Sequence, residues 1–119
     1  MNPIIPNKKL INYSDRIFVA GHNGMAGKAI MNELMNNGYK NILTANRSEL
    51  DLTDNMAVGK WFEKNKPSVV VLAAAKVGGI KANSEFPFDF LINNLKIQTN
   101  VIENSYLKKV KRFLFLGSS

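Results

Sequence analysis

Gly21, Gly24 and Gly27 stand at three-residue intervals in RIFVAGHNGMAG (16–27), directly behind a short apolar run. A strand, a tight turn and a helix punctuated in this way form a site for a dinucleotide pyrophosphate. Gly21 permits the turn off the strand, and Gly24 leaves no side chain where phosphates must approach the backbone. Gly27 lets the helix pack closely on the sheet. The helix N-terminus then offers unpaired N–H groups and a partial positive charge. Three glycines of an ordinary turn are the plainer reading, and the strand before and helix after favour the phosphate site over it. His22, the sole histidine, lies inside this loop with no proton-transfer partner nearby in sequence. It reads as a packing or hydrogen-bonding residue in preference to a chemical one.

The end of a second strand decides which nicotinamide cofactor such a site accepts. An acidic residue there binds the ribose 2′-hydroxyl of NAD, whereas an arginine accommodates the 2′-phosphate of NADP. The chain reads TANRSELD (44–51), with no acid directly after the strand and Arg47 in the loop. NADP is the expected cofactor, with an ordinary solvated arginine as the alternative reading of Arg47.

These residues must be held by a framework of alternating strands and helices. RIFVAG (16–21) reads as a buried strand, and Ala26, Ile30, Leu34 and Met35 recur at helical spacing from Gly24 to Asn37. NILTAN (41–46) reads as a second strand and ELDL (49–52) as a short third one. Thr53 or Asp54 can cap a helix that runs to about Asn65 and is ended by Pro67. SVVVLAAA (68–75) is apolar throughout, as a central parallel strand is. A helix from about Asp89 to Leu107 carries Leu91, Leu95, Val101, Ile102 and Tyr106 as an apolar stripe, and KRFLFLGSS (111–119) supplies a fifth strand. The pattern predicts an α/β fold, a doubly wound parallel Rossmann-type sheet of order 3-2-1-4-5. Residues 16–119 form that domain and residues 1–15, with two prolines, an N-terminal arm.

At 119 residues, 45% of them hydrophobic, the chain is long enough for one domain with a real core. It has no cysteine and one histidine, which excludes disulfides and thiolate or multi-histidine metal sites. The net charge of +7 is dispersed and not interleaved with aromatic residues, so it reads as a solvated basic surface and not a nucleic-acid platform. The opening residues lack the apolar core of a signal peptide, and no stretch is long and apolar enough to span a bilayer. The expectation is a cytoplasmic protein without a membrane or nucleic-acid partner.

VAGHNGMAG (19–27), LAAAKVGGIKAN (72–83) and FLGSS (115–119), at these separations, closely resemble the GDP-L-fucose synthase family of extended short-chain dehydrogenase/reductases. Of the three, AAAKVGGI is the specific one. That family epimerises and reduces GDP-4-keto-6-deoxy-mannose with NADPH. The resemblance implies that Gly21, Asn23, Gly24, Met25 and Gly27 line the pyrophosphate. It implies that Arg47 meets the 2′-phosphate, Asp51 and Leu52 border the adenine, and Ala73, Ala74, Ala75 and Lys76 lie beside the riboses. Asn94 resembles a cofactor-facing helix asparagine, with a plain helix-face asparagine as the alternative. Ser118 resembles the catalytic serine that hydrogen-bonds the sugar's 4-keto oxygen. Asn23 stands where family members often carry an arginine that also binds the 2′-phosphate.

The family's general acid is the tyrosine of a Tyr-x-x-x-Lys pair. Here Tyr13 is followed four residues on by Ile17, Tyr39 by Leu43 and Tyr106 by Val110. In the family that pair, the epimerising cysteine and histidine, and the substrate domain all follow the serine strand. The resemblance therefore implies the cofactor-binding first part of an enzyme whose full-length form is a homodimer, and an inactive 119-residue chain. Two other readings stay open: another nucleotide-sugar epimerase or dehydratase of the superfamily, and a non-catalytic dinucleotide-binding module.

Overall fold

The computed structural model describes residues 11–73 and 88–116. Strands and helices alternate along them: β1 (Ile17–Ala20), α1 (Met25–Asn36), β2 (Ile42–Leu43), α2 (Asn55–Asn65), β3 (Val69–Leu72), α3 (Phe88–Leu107) and β4 (Arg112–Phe115). Among the described residues the strands form one parallel sheet in the order β2-β1-β3-β4. Its centre is the pairing of β1 with β3, from Ile17 opposite Val69 to Ala20 opposite Leu72. Every residue of both strands is buried.

Both faces of that centre are covered, which is why IFVA and VVVL have no polar alternation. Successive side chains point to opposite faces. Phe18, Ala20, Val70 and Leu72 pack with Val58 and Phe62 of α2 and Val101 of α3. Ile17, Val19, Val69 and Val71 pack with Ile30, Met31 and Leu34 of α1. Phe18 is the hub of the first layer, its ring 4.2 Å from that of Trp61 and edge-on to Phe62 at 5.9 Å between centroids. Helices on both faces of a parallel sheet make this the doubly wound architecture that the sequence predicts.

Two expectations need correction. The segment 49–52 is not a strand. Polar side chains before and within it close onto the backbone instead: Asn46 Oδ1 accepts the Glu49 N–H, and Asp51 Oδ1 accepts the Thr53 N–H. Turns of this kind compete with an extended ladder. Without that strand the expected order 3-2-1-4-5 reduces to the order observed. The second correction concerns α3. Its apolar stripe faces outward, with Leu95, Ile102 and Tyr106 exposed, while its buried residues are Asn94, Asn100, Val101, Asn104 and Ser105. Only Val101 of the predicted stripe is buried.

Two local features fix the two ends of the sheet. At the end where β1 begins, residues 11–15 pack against the sheet: Ile11 joins the α1 layer, and the Tyr39 hydroxyl donates to its carbonyl. Asp15 is buried there. Its carboxylate accepts from the Asn12 N–H at 2.6 Å and the Ser68 hydroxyl at 3.0 Å, and pairs with Lys111 at 2.7 Å. It thereby ties the residues before β1 to those before β3 and β4. Burial pushes the Asp15 pKa up, but Lys111 and the hydrogen bonds together outweigh it and hold the carboxyl below its ordinary value.

At the other end, Gly21 turns the chain with φ +91°, a conformation that favours glycine. Gly27, in the first turns of α1, lies against that turn. A Cβ on it would stand 2.0 Å from the Gly21 carbonyl oxygen and 2.8 Å from His22 Cα. Both are backbone atoms with nowhere to move.

These two ends generate two predictions. Because the folded pKa of Asp15 is depressed, its contribution is present above the unfolded value near pH 4 and is lost as the pH falls below it. Asp15→Asn should cost about 2 kcal/mol at pH 7. Urea unfolding should show parent and variant converging in acid. Gly27→Ala should lower the melting temperature by about 10 °C or more, followed by circular dichroism.

Candidate functional site

A cavity of about 480 Å³ opens where β1 and β3 end, within the usual range of ligand sites. The crevice beyond the carboxyl ends of the strands is where open parallel α/β sheets bind ligands. Gly21, His22, Asn23 and Gly24 form one wall, and Ala73 follows β3. Ala45 to Arg47 and Leu50 to Thr53 form the wall beyond β2, and Asn93 and Ile97 of α3 complete the lining.

The first wall ends at the N-terminus of α1. Gly24 is its N-cap, in extended conformation, and no side chain caps the helix. By contrast, the N-cap of α2, Asp54, accepts the Ala57 N–H at 3.2 Å. The first-turn amides of α1 are thus donors that the protein's own side chains do not cap, and the first turn holds no acid. A Cβ on Gly24 would meet only the Gly21 carbonyl at 3.7 Å. The space above it is open, which makes this turn a cradle for an anionic group.

The opposite wall is a hydrogen-bonded turn. The Asn46 N–H donates to Glu49 Oε1 at 3.0 Å, while Asn46 Oδ1 accepts from the Glu49 N–H at 3.1 Å and the Ser48 hydroxyl at 2.6 Å. Reciprocal bonds of this type hold the backbone between them. Arg47 sits on the exposed loop so held. Asp51 is kept ionised: hydrogen bonds from the Thr53 hydroxyl and N–H lower its pKa, opposed by desolvation and aided by the Arg47 charge.

Of the residues expected at the site, Gly21, Asn23, Gly24, Arg47, Asp51, Leu52 and Ala73 line this one cavity. Gly27 lies beneath the turn, and Met25 is exposed at the start of α1. Asn94 is buried away from the lining, and among the described residues its Nδ2 has no hydrogen-bond partner. Ala74, Ala75, Lys76 and Ser118 lie outside the described residues. Sequence reasoning did not select Asn46, Thr53, Asn93 and Ile97. Asn93 and Ile97 are four residues apart on a helix, a spacing that the outward apolar stripe concealed. Among the described residues no group of His, Cys, Asp and Glu is placed to hold a metal ion, and no helix is long and apolar enough to cross a membrane.

The chain is 51% identical over 110 residues to a putative GDP-L-fucose synthase 2 of Arabidopsis thaliana, covering 92% of this chain and 34% of that protein. It is 44% identical over 104 residues to the GDP-L-fucose synthase of Escherichia coli K12, covering 87% and 32%. Among solved structures, a GDP-mannoheptose C4 reductase from Campylobacter jejuni with NADP bound superposes with a TM-score of 0.79 at 40% identity. That match covers 88% of this chain and 33% of the reductase. The chain spans about a third of the length of the curated relatives it matches. The sequence profile of the NAD dependent epimerase/dehydratase family matches residues 17–119, and the chain belongs to that family.

Proposed function

We propose that this chain is the cofactor-binding part of an NADP-dependent epimerase/reductase that converts GDP-4-keto-6-deoxy-mannose to GDP-L-fucose. The observation that carries the cofactor half is the uncapped N-terminus of α1, opening on a cavity whose far wall holds Arg47. One wall suits a pyrophosphate and the other a ribose 2′-phosphate. The substrate half is supported by the GDP-L-fucose synthases that the chain resembles.

In this reading, the first-turn amides of α1 hold the pyrophosphate, with Gly21, Asn23 and Gly24 around it. Arg47 pairs with the 2′-phosphate, and its planar donors suit that anion better than a lysine would. Asp51 and Leu52 border the adenine, and Ala73 to Lys76 run beside the riboses. The bound nicotinamide supplies hydride to the sugar. Ser118 donates a hydrogen bond to the 4-keto oxygen. No Tyr-x-x-x-Lys pair occurs in these 119 residues to protonate that oxygen.

A homodimeric full-length form and a cytoplasmic location belong to the same proposal. The exposed apolar stripe of α3, with Leu95 and Tyr106 at 61% and 80% accessibility, supports the dimer.

Two measurements test it. Arg47→Ala should weaken NADPH binding by about 1.5–3 kcal/mol, the worth of a hydrogen bond to a charged group. NADH binding should stay nearly unchanged; equal losses in a calorimetric titration would remove the 2′-phosphate assignment. The purified 119-residue chain should not oxidise NADPH when given GDP-4-keto-6-deoxy-mannose, since a positioned general acid contributes about 10²–10⁴-fold. Steady loss of absorbance at the nicotinamide band would contradict this.

A further inference from the structure

Asn100 lies one helical turn beyond Ile97 on α3 and does not line the cavity, yet it is buried, with 7% accessibility. A buried amide must be satisfied, and this one is. Its Nδ2 donates to the Leu52 carbonyl at 2.9 Å. Its Oδ1 accepts from Asn55 Nδ2 at 2.9 Å, and Asn55 Nδ2 also reaches Glu103 Oε1 at 2.9 Å. Asn55 opens α2, so the Asn100 amide is oriented by one helix while it grips the loop in front of it.

Leu52 belongs to the cavity wall, between Asp51 and Thr53. Strand pairing does not hold this stretch, since the ladder from β1 ends at Leu43. Its restraints are Leu50 and Leu52 packed in the core layer, Asp51 closed onto Thr53 and Asp54, and the bond from Asn100. The Leu52 carbonyl takes this hydrogen bond from Asn100. Without it the carbonyl is left unsatisfied or turns to find water, and either way the wall shifts.

We propose that Asn100 is a positioning residue for the adenosine side of the cavity. It sets the Asp51–Thr53 wall through the Leu52 carbonyl, and affinity for an adenosine 2′-phosphate depends on it. This rests on the dinucleotide reading above. Asn104 provides the control, because its Nδ2 donates to the Asn100 carbonyl at 2.8 Å in the same buried seam without touching Leu52.

The test titrates the 119-residue chain and its variants with 2′,5′-ADP and records each melting temperature. Asn100→Asp keeps the shape and the acceptor but replaces the donor, and should weaken 2′,5′-ADP binding by about tenfold. Asn104→Ala should lower the melting temperature while its affinity stays within about twofold of the parent. Parental affinity in Asn100→Asp, or an equal loss in Asn104→Ala, overturns the inference. If Asn100→Asp does not fold, Asn55→Ala, which frees the amide to rotate, should bind about threefold more weakly. Unchanged affinity in that variant overturns it too. A parent chain that does not bind 2′,5′-ADP overturns the dinucleotide reading itself.

Discussion

The approach of α1 to the end of β1 is limited by one missing atom. Residue 27 lies so close to the Gly21 carbonyl that a methyl group would occupy the oxygen's own volume, at 2.0 Å. Because residue 27 is glycine, the helix can start immediately beneath the turn, and its first amides face the cavity. Because Gly21 takes a positive φ, the chain can reverse fast enough to present them. The position of α1 in turn decides which face of β1 and β3 it covers, with Ile30, Met31 and Leu34 over Ile17 and Val19. The open helix start and the hydrophobic layer therefore share one geometric condition. Neither can be relaxed without the other.

Charge is arranged by the same economy. The far wall carries Arg47 and Asp51, and neither is buried. What fixes them is the backbone under them, closed by Asn46 with Glu49 and by Asp51 with Thr53. An exposed cation on a braced loop keeps its hydration until an anion arrives, so the protein pays no desolvation cost in advance. The net charge of +7 adds a general attraction for anionic ligands without defining a site.

How much of this can be read from the sequence depends on whether the signal is local. The three glycines, the VVVL run and the helix between Asn55 and Pro67 announce themselves, because turn chemistry and unbroken burial act within a few residues. ELDL misleads for a local reason as well: alternating leucines suggest a strand, while Asn46 and Asp51 close turns before and within it. The face of α3 misleads for a non-local one. A helix whose buried side is Asn94, Asn100, Asn104 and Ser105 inverts the usual pattern. Of these asparagines, Asn100 is satisfied by partners more than forty residues away, Asn55 and Leu52, which no window along the chain contains. The lining role of Asn93 and Ile97 was hidden by the same inversion.

β2 is two residues long and pairs with β1 over two positions, Ile17 opposite Ile42 and Phe18 opposite Leu43. So short a ladder cannot share the cooperative stability of β1 and β3. Its amides should therefore open more readily than those of the central pair. The segment beyond it, which carries Arg47, inherits that freedom on the strand side and is anchored chiefly from the α2–α3 side. In native-state hydrogen exchange the two walls of the cavity would separate. The amides behind the glycine turn would exchange with the protected core, and those around residues 42–46 with a faster, locally opening edge.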